Sequence, residues 1–291
     1  MTALTRITCH AVHKMPPQAR EGLARELFAV HEQIFGGLSF EDFKEYVVER
    51  PAYRTWIWVK RDAAGRLVGY HSTHVFHLTA AGRKTTVVRM EAGTLPWARG
   101  RDLTMLHNVL RLLMVWLSQP WRRFCIFAAL THPSSYTFLA RYAPVIYPHV
   151  RRTIPPKTMA LMEELADAFH LERVHAGNAM VRRVDWVTLE SPEETMRWQN
   201  SLRRDTRYYM RNNPGYTDGH GLLTYIPFNG WILLHSLFRF FTGRAGRLLR
   251  LLFGDAVMGP VDNGYTQPAP LTRIPPARPG REFAHTRPPS L

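Results

Sequence analysis

A basic turn in the first half of the chain is the stretch best suited to binding a charged ligand. An extended segment runs into Pro96, a turn with Arg99, Gly100 and Arg101 follows, and a helix begins directly after it. The first amides of a helix have no intrahelical partner, and the helix dipole adds positive potential at the same place. This arrangement is typical of sites that bind the phosphate groups of a ligand.

The composition predicts a folded, basic protein. The chain has 291 residues, is 45% hydrophobic, and carries a formal net charge of +15. Such a charge fits nucleic acid, an anionic membrane surface or a phosphate-rich co-substrate, and does not by itself choose among them. The two cysteines form no CxxC motif, which argues against a zinc or redox site of that kind. The first 14 residues contain no apolar leader, which predicts a cytoplasmic protein.

Local patterns predict the elements that position this turn. Helices are expected over 17–35, 39–50, 103–117 and 133–142, and strands over 7–13, 53–60, 67–78, 85–95 and 124–130. The leucines of the third helix at 103, 106, 110, 113 and 117 are expected to form its inner face. Two prolines at 155–156 suggest a boundary. We therefore predict a first domain over 1–154 and a mixed α/β extension over 155–230, with one helix expected over 191–211.

The segment 231–254 is predicted to be an amphipathic basic helix. The apolar side chains expected on one face are Leu234, Leu237, Phe238, Phe241, Leu248, Leu252 and Phe253, with Arg239, Arg247 and Arg250 opposite. Two interpretations stay open. The helix lies on an anionic membrane surface, at the inner face of the membrane, or it packs on the protein as a core or dimer helix. The tail over 255–291 is rich in Pro, Gly and Arg and is predicted to be disordered.

The element order and three motifs over residues 5–150 resemble the GNAT (GCN5-related N-acetyltransferase) acyltransferases. Gly65–Tyr70 is similar to the family's "G-x-L-V-G" turn and strand. Pro96–Thr104 is similar to its pyrophosphate-binding motif, "P-x-x-R-G-x-G-x-G", and His132–Ala143 has the spacing of a late family segment. The resemblance implies an α/β (α+β) fold, with a central mixed, mostly antiparallel sheet flanked by helices and a C-terminal extension.

The resemblance also implies an activity. Members move an acyl group from an acyl-CoA, or in some cases an acyl carrier protein, to an amine or less often a hydroxyl. The donor is a co-substrate, so no permanently bound cofactor is expected. An acidic carrier protein also suits a basic enzyme. The residues implied for donor binding are Leu95, Arg99, Gly100, Arg101, Asp102, Leu103, Thr104 and His132.

The resemblance implies catalytic roles for three residues. Glu91 lies on the strand before the turn, where the family often has a catalytic carboxylate, and we expect a raised pKa that suits a general base. The alternative is a carboxylate paired with Arg89 or Arg101 on a solvent face. Tyr136 and Tyr142 are candidate acids for the leaving thiolate because Leu139 occupies the usual tyrosine position. Their alternative role is packing.

Departures from the motif support a second class of function. Asp102 and Thr104 replace glycines that let the backbone approach the pyrophosphate. With Leu139, they suggest a catalytically silent module that binds an acyl ligand, a protein partner or a membrane. A third hypothesis is an RNA-associated protein, based on the aromatic and basic run 203–211. No metal site is predicted from the histidines at 71, 74 and 77, because 71 and 77 share one face of a strand and 74 lies on the other.

Overall fold

The computed structural model describes residues 6–99 and 104–253, and only the backbone at 105, 106, 240 and 243–253. Its strands are β1 (Arg6–Ala11), β2 (Phe35–Gly36), β3 (Arg54–Arg61), β4 (Leu67–Ala80), β5 (Arg83–Thr94), β6 (Arg123–Leu130), β7 (Arg173–His175), β8 (Asn178–Arg183), β9 (Val187–Thr188) and β10 (His220–Phe228). Its α-helices are α1 (Pro17–His31), α2 (Phe40–Phe43), α3 (Thr104–Ser118), α4 (Pro133–Tyr142), α5 (Pro156–Ala168), α6 (Pro192–Gln199), α7 (Arg204–Asn212) and α8 (Gly230–Phe253).

Proline and side-chain caps set several helix starts. Pro133 occupies the first turn of α4, and the His132 side chain accepts a hydrogen bond from the Ser134 amide. Ser191 caps α6 in the same way, accepting from the Glu194 amide. These residues provide acceptors for amides that have no intrahelical partner. The single helix predicted over 191–211 is wrong, because α6 ends at Gln199 and α7 begins at Arg204.

One sheet organises the molecule. Its strand order is β1-β3-β4-β5-β6-β10-β8-β7, and every neighbouring pair is antiparallel except β5 and β6. The mixed, mostly antiparallel sheet flanked by helices is therefore confirmed. The order of elements from β1 to α4 is also the one implied by the resemblance, so the fold is GNAT-like.

The sheet continues across the boundary predicted at residue 154. β10 pairs with β6 from Leu222–Leu130 to Phe228–Phe124, and β8 and β7 extend the sheet further. Helix α5 packs on the same sheet, with Leu165 in one apolar cluster with Phe127. Pro155 and Pro156 start this helix instead of forming a linker. The ranges 1–154 and 155–230 thus share one sheet and one core.

Two helices bury faces that periodicity did not identify. In α3, Leu112 and Val115 are buried, whereas the predicted inner residues Leu110 and Leu117 are exposed. The helix is apolar on most sides, so spacing alone could not select the buried face. The apolar face predicted for α8 is also divided. Its first turns bury Ile232 and Leu233, whereas Leu234, Phe238 and Phe241 are exposed.

Other predictions for the C-terminal part concern residues that the structure does not describe. The side chains of Arg247, Arg250, Leu248, Leu252 and Phe253 and the tail 255–291 lie outside the described residues. Within the described part of the chain, no helix is long and apolar enough to cross a membrane.

The shared core generates a stability prediction. We expect Leu165→Ala to lower the free energy of unfolding by about 2–5 kcal/mol, because Leu165 is 0% exposed and the substitution leaves a cavity. Leu202 is 83% exposed, so Leu202→Ala is the matched control and should change stability by less than about 0.5 kcal/mol. Urea unfolding, followed by circular dichroism, should show a single transition whose midpoint shifts to lower urea concentration in Leu165→Ala. A second transition that alone responds to Leu165→Ala would contradict a shared core.

Candidate active site

The single parallel strand pair opens a gap at one end of the sheet. β5 and β6 pair only from Thr85–Arg123 to Val88–Ile126. Beyond these residues β5 pairs with β4 as far as Thr94, and β6 pairs with β10 as far as Leu130. We call the gap between residues 89–94 and 127–130 the wedge. It lies at the carboxyl ends of two parallel strands, where open α/β sheets bind ligands.

The basic turn follows β5 directly. Pro96–Ala98 form a short 3-10 turn, and Arg99 Nε donates to the Thr94 carbonyl oxygen at 3.2 Å. The Arg99 guanidinium also lies 3.7 Å from the Glu194 carboxylate of α6. Thr104, the first residue of α3, is buried, whereas Leu95 is half-buried. Gly100, Arg101, Asp102 and Leu103 lie outside the described residues, so their predicted phosphate contacts remain a prediction.

Glu91 lies on the β5 wall of the wedge and is held by several donors. Its carboxylate accepts hydrogen bonds from Ser72 Oγ at 2.8 Å and from Arg50 NH1 at 3.2 Å. His74 Nε2 lies 2.9 Å away, and His74 Nδ1 is 3.1 Å from Thr55 Oγ1. This network lies on the face of the sheet that carries α1, because Tyr70 of the same strand face contacts His31 of α1.

The raised pKa predicted for Glu91 is wrong. Burial alone raises the pKa of this carboxyl, but the neighbouring His74, Arg50 and Arg89 oppose burial and lower it to about 2. The alternative expectation of a pair with Arg89 on a solvent face also differs from the structure, and Arg101 lies outside the described residues. The Arg50 guanidinium pairs with the Glu91 carboxylate. Only 9% of the Glu91 side chain is exposed, so this pair is not on a solvent face. Glu91 is therefore an anion with occupied oxygens.

The three histidines of β4 point to separate environments. His71 Nε2 lies 3.1 Å from the Asn108 amide of α3, on the opposite side of the sheet from His74. His77 stacks on Tyr53 with ring centroids 4.1 Å apart. The described part of the chain contains no group of three or more side chains placed to ligate a metal ion.

A second polar cluster occupies the end of β6, at the other wall of the wedge. His132 Nε2 lies 3.5 Å from Glu190 Oε2, and 8% and 5% of these side chains are exposed. The rings of Trp198 and Tyr216 meet the His132 ring edge-on at 5.3 and 6.0 Å. Burial and then the charge of Glu190 raise the pKa of the Tyr216 hydroxyl.

The two ring nitrogens of His132 have different surroundings. Nδ1 is 2.6 Å from Ser134 Oγ and 3.2 Å from the Ser134 amide, so it acts as an acceptor at the start of α4. A neutral imidazole that accepts at Nδ1 carries its proton on Nε2, which faces Glu190. Among the described residues, no hydrogen bond of ordinary length reaches either oxygen of Glu190, and the Tyr216 hydroxyl is close enough to interact with its carboxylate. Sequence reasoning missed Glu190, because only the fold brings it to residue 132.

The predicted acids on α4 point in different directions. The Tyr136 hydroxyl donates to the Pro148 carbonyl oxygen at 2.9 Å, and burial raises the pKa of this hydroxyl. Leu139 and Tyr142 instead line an apolar cavity beside α3. Each step of three residues turns a helix face by about 60°, so residues 136 and 142 diverge by about 120°.

The aromatic residues of α7 are used in packing. Tyr209 is buried and its hydroxyl donates to the Leu130 carbonyl oxygen at 2.9 Å. Tyr208 stacks on Tyr136 at 6.1 Å between ring centroids. The base-stacking role considered for residues 203–211 therefore gains no support, because these rings already have protein partners.

Several solved structures of acyltransferases are similar to this chain at low identity. A probable N-acyltransferase from Enterococcus faecalis is 13% identical over 48% of this chain, with a TM-score of 0.32, and the match spans 32% of that protein. NAA60 from Arabidopsis thaliana, in complex with acetyl-CoA, is 14% identical over 48% of this chain and 87% of its own, with a TM-score of 0.32. An aminoglycoside antibiotic 6'-N-acetyltransferase from Acinetobacter baumannii is 12% identical over 52% of this chain and 95% of its own, with a TM-score of 0.34.

No family model and no curated protein matches the sequence. The element order and the strand order of the sheet themselves define the GNAT-like fold.

The Glu91 network generates a pH prediction. Because its pKa is lowered from the ordinary 4.5 to about 2, the carboxylate contributes stability that is present above the ordinary value and lost as the pH falls through the folded value. We expect Glu91→Gln to lower the free energy of unfolding by about 3 kcal/mol at pH 7, and the deficit to shrink between about pH 5 and pH 2.

Urea titrations at a series of pH values measure this difference. Glu45 is exposed, so Glu45→Gln is the control and should follow the unmodified chain at every pH. A deficit that stays constant from pH 7 to the acid limit would show that the charge of Glu91 does not stabilise the fold.

Proposed function

We propose that this chain is an acyltransferase. The thioester of an acyl-CoA or an acyl carrier protein lies in the wedge, and an amine, or less often a hydroxyl, attacks its carbonyl carbon directly. A C–N or C–O bond forms, the C–S bond breaks, and the thiolate of the donor leaves and takes up a proton to become the free thiol. The observation that carries the proposal is the divergence of β5 and β6 after Val88 and Ile126, which opens a crevice immediately before a basic turn and a helix start.

The same divergence supports binding of an extended arm. The backbone groups of β5 and β6 that face the wedge have no strand partner among the described residues. Both donor types carry a phosphopantetheine arm with amide groups, and these suit pairing with free strand edges. In this proposal a donor phosphate replaces Glu194 as the partner of Arg99. The donor binds and leaves as a co-substrate.

Two carboxylates are candidates for the proton acceptor. Glu91 has three close donors and a pKa of about 2, which is poorly matched to proton transfer near neutral pH. Glu190 has no hydrogen bond of ordinary length and lies at the opposite wall of the wedge beside His132. We assign the base to Glu190, which replaces the role given to Glu91 from the resemblance. Glu91 instead positions Ser72 and Arg50.

The two assignments predict different variants. We expect Glu190→Gln to lower kcat by at least about 100-fold without weakening donor binding, because general-base catalysis contributes about that much. Glu91→Gln should lower the free energy of unfolding, and it should reduce the kcat of the folded protein less than Glu190→Gln does. Steady-state transfer to a panel of amines measures kcat, and a thermal shift with the thioester measures binding.

The reverse pattern would return the base to Glu91. An unchanged rate in Glu190→Gln, together with at least about a 100-fold loss in folded Glu91→Gln, is that pattern. Absence of a thermal shift with every CoA thioester and with acyl carrier protein would contradict the acyltransferase proposal itself.

One observation favours a catalytically silent module as the second candidate. Leu139, which occupies the usual tyrosine position, faces the apolar cavity, and the Tyr136 hydroxyl is already donated to Pro148. In this alternative the chain binds the thioester, or a partner, without transfer. Donor binding with no transfer to any amine or hydroxyl acceptor distinguishes it from the enzyme.

We also propose that α8 contacts an anionic membrane surface. Among the described side chains of this helix, four large apolar ones are more than half exposed: Trp231, Leu234, Phe238 and Phe241. Arg239 is exposed beside them, and the sequence from 219 to 254 contains no acidic residue. An exposed apolar stripe with arginines suits a helix that lies in the headgroup region.

Membrane contact predicts a charge-sensitive partition onto vesicles. We expect Leu234→Glu to weaken binding to vesicles with phosphatidylserine by about ten-fold or more. The substitution removes a leucine side chain that would be buried in the membrane and adds a negative charge that the anionic lipids repel. Leu202→Glu, a matched change at another exposed leucine, should have no such effect. Flotation at two salt concentrations measures the partition. Equal flotation of the two variants would contradict the proposed surface.

A further inference from the structure

An apolar cavity lies on the α3 side of the sheet, between α3, α4, β10 and the first turns of α8. Its volume is about 100 Å³. Among the fifteen described residues that line it, only Asn108, Tyr142 and Ser236 have polar side-chain groups. Cavities of this character stay dry and bind apolar molecules.

Asn108, the most buried of these polar residues, makes its hydrogen bonds on the side away from the cavity. Asn108 Oδ1 accepts a hydrogen bond from Thr73 Oγ1 at 3.0 Å, and its amide nitrogen lies 3.1 Å from His71 Nε2. These contacts direct the side-chain amide toward β4. The cavity therefore presents mainly hydrocarbon to whatever enters it.

The cavity begins where the wedge begins. Ile126, which lines it, belongs to the last residue pair between β5 and β6, and Met90 lies two residues beyond the partner Val88. Both side chains are on the α3 side of the sheet. A thioester carbonyl in the wedge therefore has this cavity next to it, on the side opposite Glu91.

Helix α8 closes the cavity from outside. Ile232 and Leu233 are buried against it, and Ser236 and Leu237 complete the roof. Gly230, at the start of α8, approaches Trp116 of α3 so closely that an added Cβ would lie 3.3 Å from the Trp116 ring. Without α8, the space would be an open groove between α3 and α4.

We propose that this cavity binds the hydrocarbon chain of the acyl group, so that the donor is a medium- or long-chain acyl thioester. The inference rests on the proposed acyl transfer and adds the class of acyl group. A two-carbon acyl group needs no apolar chamber under a helix, whereas each methylene that leaves water raises affinity by about four-fold.

A chain-length series tests the inference. We expect octanoyl-CoA to bind at least about 50-fold more tightly than acetyl-CoA, because several added methylenes leave water. Ser236→Phe fills the cavity from its roof and should reduce this ratio to about three-fold or less. Thr242 is exposed on the same helix, so Thr242→Phe is the matched control and should keep the ratio. Isothermal titration calorimetry gives the affinities, and circular dichroism checks folding.

A second variant keeps the test independent of any misfolding of Ser236→Phe. Leu237→Ala enlarges the cavity and should shift the tightest binding toward dodecanoyl-CoA. Equal affinities for acetyl-CoA and octanoyl-CoA, or an unchanged ratio in folded Ser236→Phe, would overturn the inference.

Free octanoic acid separates this inference from the proposed function. Binding of octanoic acid that is lost in Ser236→Phe, without binding of any thioester, supports the cavity and contradicts acyl transfer. Binding of all thioesters with no dependence on chain length supports acyl transfer and contradicts the chain site.

Discussion

The limited pairing of β5 with β6 is the constraint on which the rest of the structure depends. All other neighbours in the sheet are antiparallel, and this one parallel pair stops after Val88 and Ile126. Beyond this point β5 stays paired with β4, and β6 stays paired with β10. Among the described residues, no hydrogen bonds between β5 and β6 then oppose the right-handed twist that separates the two halves of the sheet. The resulting wedge separates the Glu91 network from the Glu190 cluster and leaves an apolar chamber on one side. Arg99, the described residue of the basic turn, lies at its rim because β5 ends at Thr94.

The two polar walls of the wedge differ in how their charges are satisfied. Glu91 is surrounded by Ser72, His74 and Arg50, and the summed attraction of the nearby cations outweighs the cost of burial. Such a carboxylate is well suited to holding strands and side chains in register. Glu190 has a buried carboxylate beside His132 and few partners. Buried polar groups that lack partners are uncommon in folded proteins, and this is why the second cluster stands out as a chemical site.

Helix α8 is unusual because it is apolar toward the protein and also toward solvent. Its inner side closes a chamber, and its outer side exposes Trp231, Leu234 and two phenylalanines. The neighbouring helix α3 exposes Leu110, Met114 and Leu117 in the same manner. These two helices, from segments without acidic residues, give one side of the molecule an apolar and basic character.

The sequence by itself determined most of the helices and strands from β1 to α4 and the position of the basic turn, because local periodicity, prolines and caps encode such features. The mixed sheet was implied by the family resemblance and not by any local pattern. The sequence also indicated that the histidines of β4 face opposite sides, since strand geometry has a period of two. Tertiary structure alone decided what surrounds each charged group. The low pKa of Glu91 comes from Arg50 and His74, and Glu190 meets His132 across 58 positions of sequence. The sheet likewise crossed the predicted boundary at 154, because pairing of β10 with β6 depends on contacts between distant segments that no local pattern records.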